Sequence, residues 1–251
     1  MSEIYKTFEN EKYKLNIYYD DVSYGGSRSW DNLSKLYLLG NYKRIGDKHE
    51  YMEGDDLIEG LFFEHHGFKN DENAEKFLEK IKHDDKISRR EMHEILLNKI
   101  SRNAFVTFLF IYDHSGLTIN TTGFSCRWDT SRAGLAVLTK KAIMEETGWK
   151  ARSKNKQHFQ GLKTWQDYAC KIVESEVKTL DQELTGDVYG FRLFEKKVCE
   201  TCGHIELDET DSCWGFYGDD FKENGILDCI SLESNELNEL LGIQKEDEKV
   251  A

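Results

Sequence analysis

The sequence contains no proline among its 251 residues, whereas proteins on average use about 5%. Turns must therefore be formed by glycine, asparagine and aspartate, and the chain has 19 glycines. Long apolar runs are also missing, since no stretch approaches the roughly 20 residues that cross a bilayer. Residues 1–14 lack the apolar core of a signal peptide. The sequence therefore predicts a cytoplasmic protein without membrane association.

A basic excess is absent too, because 47 acidic residues outnumber 34 basic ones and give a formal net charge of −13. Direct nucleic-acid binding is not expected, since it needs a basic face that neutralises phosphates. The charge fits either a well-solvated surface or an acidic face presented to a basic partner. Six unevenly spaced cysteines indicate reduced or metal-bound thiols rather than a disulfide framework. Phosphate-loop, dinucleotide, kinase and metalloprotease motifs are also absent.

Hydrophobic periodicity predicts an α+β protein, with a mixed β-sheet and helices packed on it. We expect one main domain over residues 1–235, in which residues 55–101 form a helical lobe, followed by a charged tail at 236–251. The predicted strands cover residues 13–19, 35–39, 104–111, 117–122 and 134–138, and a further strand opens within residues 184–191 and continues through residue 194. The predicted helices cover residues 55–63, 73–82, 88–100, 140–146, 158–184 and 221–229, with Asp55 or Asp56 capping the first, Ser88 and Glu91 forming a capping box, and Thr139 and Gly148 capping the fourth.

The segment 104–129 is predicted to form the central strand of the sheet and, at the end of that strand, a binding site. Ala104 to Ile111 is uncharged and rich in Phe and β-branched residues, as expected of a central strand buried on both faces. Asp113, His114 and Ser115 follow directly at the strand end, where binding residues are often found. Adjacent strand residues point to opposite faces, so these three are not a nucleophile triad by spacing.

Three polar and aromatic segments flank predicted strands, at 113–115, 185–190 and 211–218. If those strands are neighbours, His114, Asp187 and Asp211 could converge on one pocket, where a carboxylate beside an imidazole supports general-base or metal chemistry. The alternative is that the Asp and Gly residues form tight turns and the aromatic residues form core. No catalytic residue is singled out. The candidate binding residues are Asp113, His114, Ser115, Trp128, Asp129, Asp187, Tyr189, Asp211, Trp214 and Tyr217.

Cys199 and Cys202 have the two-residue gap that aims two sulfurs at one tetrahedral ion. They are expected in a hairpin whose tip comprises residues 199–204. His204 and Cys213 are the further candidate ligands for a possible zinc ion. The sequence leaves three interpretations open for the pair, namely structural zinc, free thiols and a redox dithiol.

The runs YDHSGLTINTTGFSCRWD, LTGDVYGF and DSCWGFYG together resemble a widespread family of uncharacterised bacteriophage and mobile-element proteins. WDNL near Trp30 and YKRIGDKHEY near Asp47 extend the likeness, which covers about residues 15–225. The resemblance implies an accessory protein that acts in the cytoplasm of a host cell.

Together with the acidic charge, the resemblance suggests two functions. The first is a non-enzymatic, phage-encoded inhibitor that binds a host defence protein or ribonucleoprotein, such as a CRISPR effector, through an acidic surface. The alternative is a metal-assisted hydrolase of nucleotides or of a nucleotide signal, with His114, Asp187 and Asp211 at its centre.

Overall fold

The computed structural model of the chain describes residues 3–21, 26–126, 128, 130–150, 159 and 161–243. The predicted α+β class is confirmed, and the strands form two antiparallel sheets rather than one mixed sheet. None of the described helices is long and apolar enough to cross a membrane. The elements are β1 (Ile4–Glu9), β2 (Tyr13–Tyr19), β3 (Lys35–Leu38), α1 (Gly54–His65), α2 (Asp71–Lys82), α3 (Arg89–Ile100), β4 (Ala104–Asp113), β5 (Leu117–Asn120), β6 (Thr130–Thr139), α4 (Lys140–Thr147), α5 (Trp165–Thr185), β7 (Val188–Val198), β8 (Ile205–Tyr217), α6 (Ile226–Cys229) and α7 (Ser234–Leu241).

Contacts divide the chain into two compact units where the sequence predicted one main domain. Unit 1 comprises residues 1–23 and 182–251, and unit 2 comprises residues 24–181. Unit 1 joins the two ends of the chain because β2 pairs with β7 in antiparallel register, from Tyr13 opposite Glu195 to Tyr19 opposite Tyr189. The predicted tail contributes to unit 1, since Leu240 of α7 is buried in its core, while residues 244–251 lie outside the described residues.

The sheet of unit 1 has the order β1-β2-β7-β8. Alternation along β2 places Leu15 and Ile17 on the core face, where they pack with Phe191 and Leu193 of β7. Helices α6 and α7 contribute Ile226 and Leu240 to the same core. Burial of each of these four aliphatic or aromatic side chains contributes about 1.5–3 kcal/mol to the free energy of unfolding. The apolar face of this sheet therefore stabilises unit 1.

Strands β7 and β8 extend beyond the rest of their sheet. Pairing between β2 and β7 stops at Glu195, but pairing between β7 and β8 continues to Val198 opposite Ile205. We call residues 196–208 the arm. The predicted hairpin is confirmed, and residues 199–204 form its tip.

The sheet of unit 2 has the order β3-β6-β4-β5, so the predicted central strand β4 does pair on both sides. Its burial alternates, because Leu109 and Ile111 are fully buried whereas Phe108 and Phe110 are half-buried. One face is therefore better covered than the other, in contrast to the predicted burial on both faces.

Helices α1 to α3 form the predicted helical region at 55–101, and they share one core with the sheet of unit 2. Leu61, Phe62, Leu96 and Ile100 are fully buried there and cluster with Leu135 of β6. The region is thus part of the hydrophobic core of unit 2 rather than a lobe with a core of its own.

The capping signals of unit 2 are mostly where the sequence placed them. Ser88 forms a complete capping box with Glu91, and the Thr139 side chain accepts from the N–H of Ala142. Gly148 ends α4 at a φ of +66°, a conformation that suits glycine. Helix α1 begins one residue earlier than predicted.

Most element boundaries differ from the predicted ones by one to several residues, and three helices illustrate this. The N-cap of α1 is Glu53, so that Asp55 and Asp56 lie in the first turn, where their charge is favourable at a helix N-terminus. Helix α5 begins at Trp165, and the predicted start at His158 lies outside the described residues. Only Ile226–Cys229 of the predicted helix 221–229 is helical.

Candidate functional site

The strand-end residues of unit 2 form the turn between β4 and β5. Asp113 ends β4, and its carboxylate accepts a hydrogen bond of 3.2 Å from the Tyr42 hydroxyl. Ser115 has a φ of +57°, which is rare for a residue other than glycine and tightens this turn. His114 and Ser115 are exposed. Trp128 is 95% exposed and is not core, and the candidate Asp129 lies outside the described residues.

The two motifs of unit 1, LTGDVYGF and DSCWGFYG, are neighbours across the β7–β8 pairing. Tyr189 lies opposite Phe216, and Gly190 lies opposite Trp214, with a bulge between the two pairs. The Trp214 ring covers Gly190 so closely that an added Cβ would overlap it. Gly190 and the Trp214 ring therefore pack against each other, and this packing accounts for a glycine and an aromatic residue at these positions of the two motifs.

Asp187 and Tyr189 form the polar end of an aromatic cluster. The Tyr189 hydroxyl donates to a carboxylate oxygen of Asp187 at 2.7 Å. Burial raises the pKa of Tyr189 above its usual range, and the Asp187 hydrogen bond raises it further. The rings of Tyr5, Tyr19 and Phe221 surround Tyr189 at centroid distances of 4.8, 5.5 and 5.7 Å. Tyr189 thus acts as a fixed, neutral anchor in unit 1.

The structure does not bring Asp187 and Asp211 together. Asp187 precedes the pair formed by Val188 and Tyr217, whereas Asp211 lies opposite Leu193, so about six residues or roughly 20 Å of strand separate them. Asp211 accepts a 2.8 Å hydrogen bond from the N–H of Ser231, and His114 belongs to unit 2. Asp211 therefore fixes the segment around Ser231 against β8.

The remaining aromatic candidates flank the β7–β8 bulge. Trp214 is 41% exposed and lies 5.8 Å from the Tyr18 ring. Tyr217 is half-buried, and burial raises its pKa above the usual value, followed by the charge of Glu183. The exposed side of Trp214 leaves an aromatic surface on unit 1 that a partner could contact.

Cys199 and Cys202 lie together at the arm tip. The N–H and thiol of Cys202, and then the N–H of Thr201, donate to the Cys199 sulfur and lower the pKa of its thiol. Both cysteines and His204 are exposed. Cys213 lies opposite Phe191, eight residues or roughly 27 Å along β8 from Ile205.

Cys213 is therefore not a ligand of an ion at the tip. Among the described residues there is no group of three or more His, Cys, Asp or Glu side chains that could hold a metal. The predicted four-ligand zinc set does not fit within one chain, and only the Cys199 and Cys202 pair remains as a partial ligand set.

The net negative charge of the protein comes from unit 1. Residues 1–23 and 182–251 contain 23 acidic and 9 basic residues, a net charge of −14. Residues 24–181 contain 24 acidic and 25 basic residues, a net charge of +1, and the two values add to −13. The sequence total alone did not reveal this separation, because unit 1 is assembled from both chain ends.

An ion network in unit 2 was missed by the sequence reasoning. The Arg28 side chain is 3% exposed, and it contacts Asp47 at 2.7 Å and Glu176 at 3.3 Å. Glu176 of α5 also accepts from the N–H groups of Leu33 and Ser34 at 2.9 and 3.2 Å. The WDNL and YKRIGDKHEY motifs flank or contain these residues, which fasten loops of unit 2 to α5.

A groove of about 910 Å³ lies beside the start of α4 in unit 2. His65 and Lys140 line it, and the Lys140 ammonium lies 5.5 Å from the ring centre of Trp149. Basic and acidic side chains both line it, including Lys141 and Glu145. This mixed lining does not select one sign of ligand charge.

Comparison with protein-family models, with curated proteins and with solved structures finds no match to the chain. Its class is therefore defined by the fold alone, as an α+β protein with two antiparallel sheets in two compact units.

Proposed function

We propose that this chain is a non-enzymatic binding protein whose acidic unit 1 docks on a basic protein surface. In the phage setting suggested by the sequence resemblance, the partner is a host defence component such as a CRISPR effector, and docking inhibits it. A nucleic-acid channel is a surface of this kind, because it must be basic to hold phosphates. The acidic unit would compete for it.

The separation of charge carries this proposal. Unit 1 carries a net charge of −14 within 93 residues, whereas unit 2 carries +1, and this excess creates a negative field around unit 1. Such a field speeds encounter with a basic patch and disfavours other partners. Acidic residues that are exposed and make no ion pair within the described part of unit 1 include Asp219, Glu223 and Glu239.

The hydrolase that the sequence also suggested has no comparable support in the described residues. Asp187 and Asp211 are roughly 20 Å apart along the strand, and each has a local hydrogen-bond partner. We therefore argue for binding alone.

The test is an affinity capture with the tagged full chain, using lysate of a bacterium that carries a CRISPR system. Wild-type protein is expected to retain a stoichiometric partner that salt of about 1 M removes, since screening weakens exposed charge pairs. The triple variant Asp219→Lys, Glu223→Lys and Glu239→Lys is expected to lose capture. The purified partner should bind its nucleic acid more weakly when the wild-type chain is added.

The matched control is the triple variant Glu75→Lys, Asp85→Lys and Glu146→Lys, which changes exposed acids of unit 2. It shifts the total charge by the same +6 and is expected to capture the partner normally. Capture that survives both high salt and the unit 1 reversal, or that fails equally in both variants, contradicts docking through unit 1.

A further inference from the structure

The tip of the arm holds its two cysteines in a closed turn. The N–H of Cys199 donates to the carbonyl oxygen of His204, and the N–H of Gly203 donates to the carbonyl oxygen of Cys199, each at 2.8 Å. Gly203 has a φ of +71°, which a residue with a Cβ adopts rarely. The turn therefore has a defined backbone shape with Cys199 and Cys202 on it.

The two cysteines have the spacing of a zinc-binding turn. Cys199 and Cys202 are separated by two residues, and both are exposed at the tip. Zinc in closed structural sites takes four ligands in a tetrahedron, and a Cys-x-x-Cys turn supplies two of them. The arm tip is thus built as one half of such a site.

The other half is not supplied by the described part of the chain. No group of three metal-binding side chains occurs there, and Cys213 lies roughly 27 Å down the strand. A second copy of the chain brings two equivalent sulfurs, and a two-fold axis through the ion places the same surface on both sides. Two half-sites then make one complete Cys₄ site.

We propose that the arm tips of two copies share one Zn²⁺, which is bound by Cys199 and Cys202 of each copy. Binding exchanges four thiol protons for the ion and transfers no electrons. The inference is independent of the proposed partner binding, because it concerns the tip thiols and not the acidic residues of unit 1.

An exposed apolar stripe next to the tip suits the same contact. Val198, Ile205 and Leu207 are 59%, 51% and 43% exposed. Val198 lies opposite Ile205, and Leu207 is two residues further along β8, so the three share one face of the arm. Contact between two arms would cover this face, as exposed apolar patches often are in assemblies.

The charge of unit 1 sets the expected salt dependence. Two units of −14 repel each other, and salt screens that repulsion. Added salt is therefore expected to strengthen the zinc-linked dimer, whereas it weakens docking on a basic partner. Because salt has opposite effects on the dimer and on partner docking, a single salt titration distinguishes the two interactions.

The test measures mass and zinc content on the full chain in a reducing buffer that prevents disulfides. Light scattering after size exclusion is expected to give about 59 kDa with zinc, twice the 29.3 kDa of one chain, and the monomer mass after chelation. Metal analysis is expected to give one zinc ion for every two chains. One zinc per monomeric chain, or a dimer that persists without zinc, would overturn the shared site.

Variants assign the ligands. Cys199→Ser and Cys202→Ser should each lose both zinc and the dimer, while circular dichroism shows that the fold is retained. Cys229→Ser is the matched control, since Cys229 is an exposed cysteine of unit 1 away from the tip, and it should keep both. His204→Ala should keep both as well. Loss of zinc in His204→Ala, or retention in Cys199→Ser, would refute the four-cysteine site.

Discussion

Replacing Arg28 by methionine should destabilise unit 2 far more than replacing an exposed arginine. The Arg28 side chain is 3% exposed and donates to Asp47 and to the carbonyl oxygen of Ser34 at 2.7 Å, with Glu176 at 3.3 Å. Methionine fills similar volume but leaves two carboxylates without their cation. Removing one partner of a buried pair costs about 3–5 kcal/mol.

The lower end of that range applies here. Asp47 and Glu176 retain 22% and 15% side-chain exposure, and both keep backbone N–H donors, from Leu36 and Leu33 respectively. We expect a loss of about 3 kcal/mol. With a urea m-value of about 3 kcal/mol/M, the unfolding midpoint falls by about 1 M. Arg28→Lys should be intermediate, because one ammonium cannot reproduce the planar set of donors.

The assay is urea unfolding followed by far-ultraviolet circular dichroism and tryptophan fluorescence. Arg90→Met is the control, because Arg90 is 89% exposed in an i,i+4 pair with Glu94 and such pairs contribute little. Its midpoint should hardly move. If Arg28→Met shifts the midpoint no more than Arg90→Met does, the network does not stabilise the unit and the reasoning fails.

Three further changes test other features. Gly190→Ala should cost about 1–3 kcal/mol, since its Cβ would displace the Trp214 ring, whereas Gly54→Ala has open space and should be neutral in the same urea assay. Ser88→Ala should cost about 1 kcal/mol by removing the capping box of α3, and an unchanged midpoint would show that the cap is dispensable. Burial lowers the pKa of His65 in the folded protein. As the pH falls, His65 is therefore protonated at a higher pH in the unfolded chain than in the folded protein. Stability should fall as pH drops below about 6.5, and His65→Asn should show a smaller fall between about pH 7.5 and pH 5.5; an equal fall would contradict this.

Local signals in the sequence predicted local structure well. The capping box at Ser88, the caps at Thr139 and Gly148, and the strand Tyr13–Tyr19 depend on residues a few positions apart, so their patterns are visible in the sequence. Strand β1 was missed because nearly all of its residues are exposed. An edge strand of this kind has no strong apolar alternation to reveal it.

Features that depend on distant pairing were not predictable from the pattern. Arg28 meets Asp47 and Glu176 across 19 and 148 residues of sequence, and nothing local marks those partners. For the same reason, the pairing of β2 with β7 and the separation of charge that follows from it were not predicted. The cysteine pair and its hairpin tip were found, because a turn and a two-residue gap are local.

The outer edge of the arm is an open strand edge, where the backbone of another chain could add a strand. Strand β8 ends its sheet and has no further strand beside it among the described residues, so its free N–H and C=O groups could template another chain. Glu206, Asp208 and Glu209 lie along this edge. Asp208 pairs with Lys197 and Glu209 pairs with Arg192, and charged side chains of this kind on an edge strand disfavour the addition of another strand. The acidity that we connect with partner binding is therefore also expected to disfavour strand addition at the β8 edge, and neutralising these three residues should promote fibril formation.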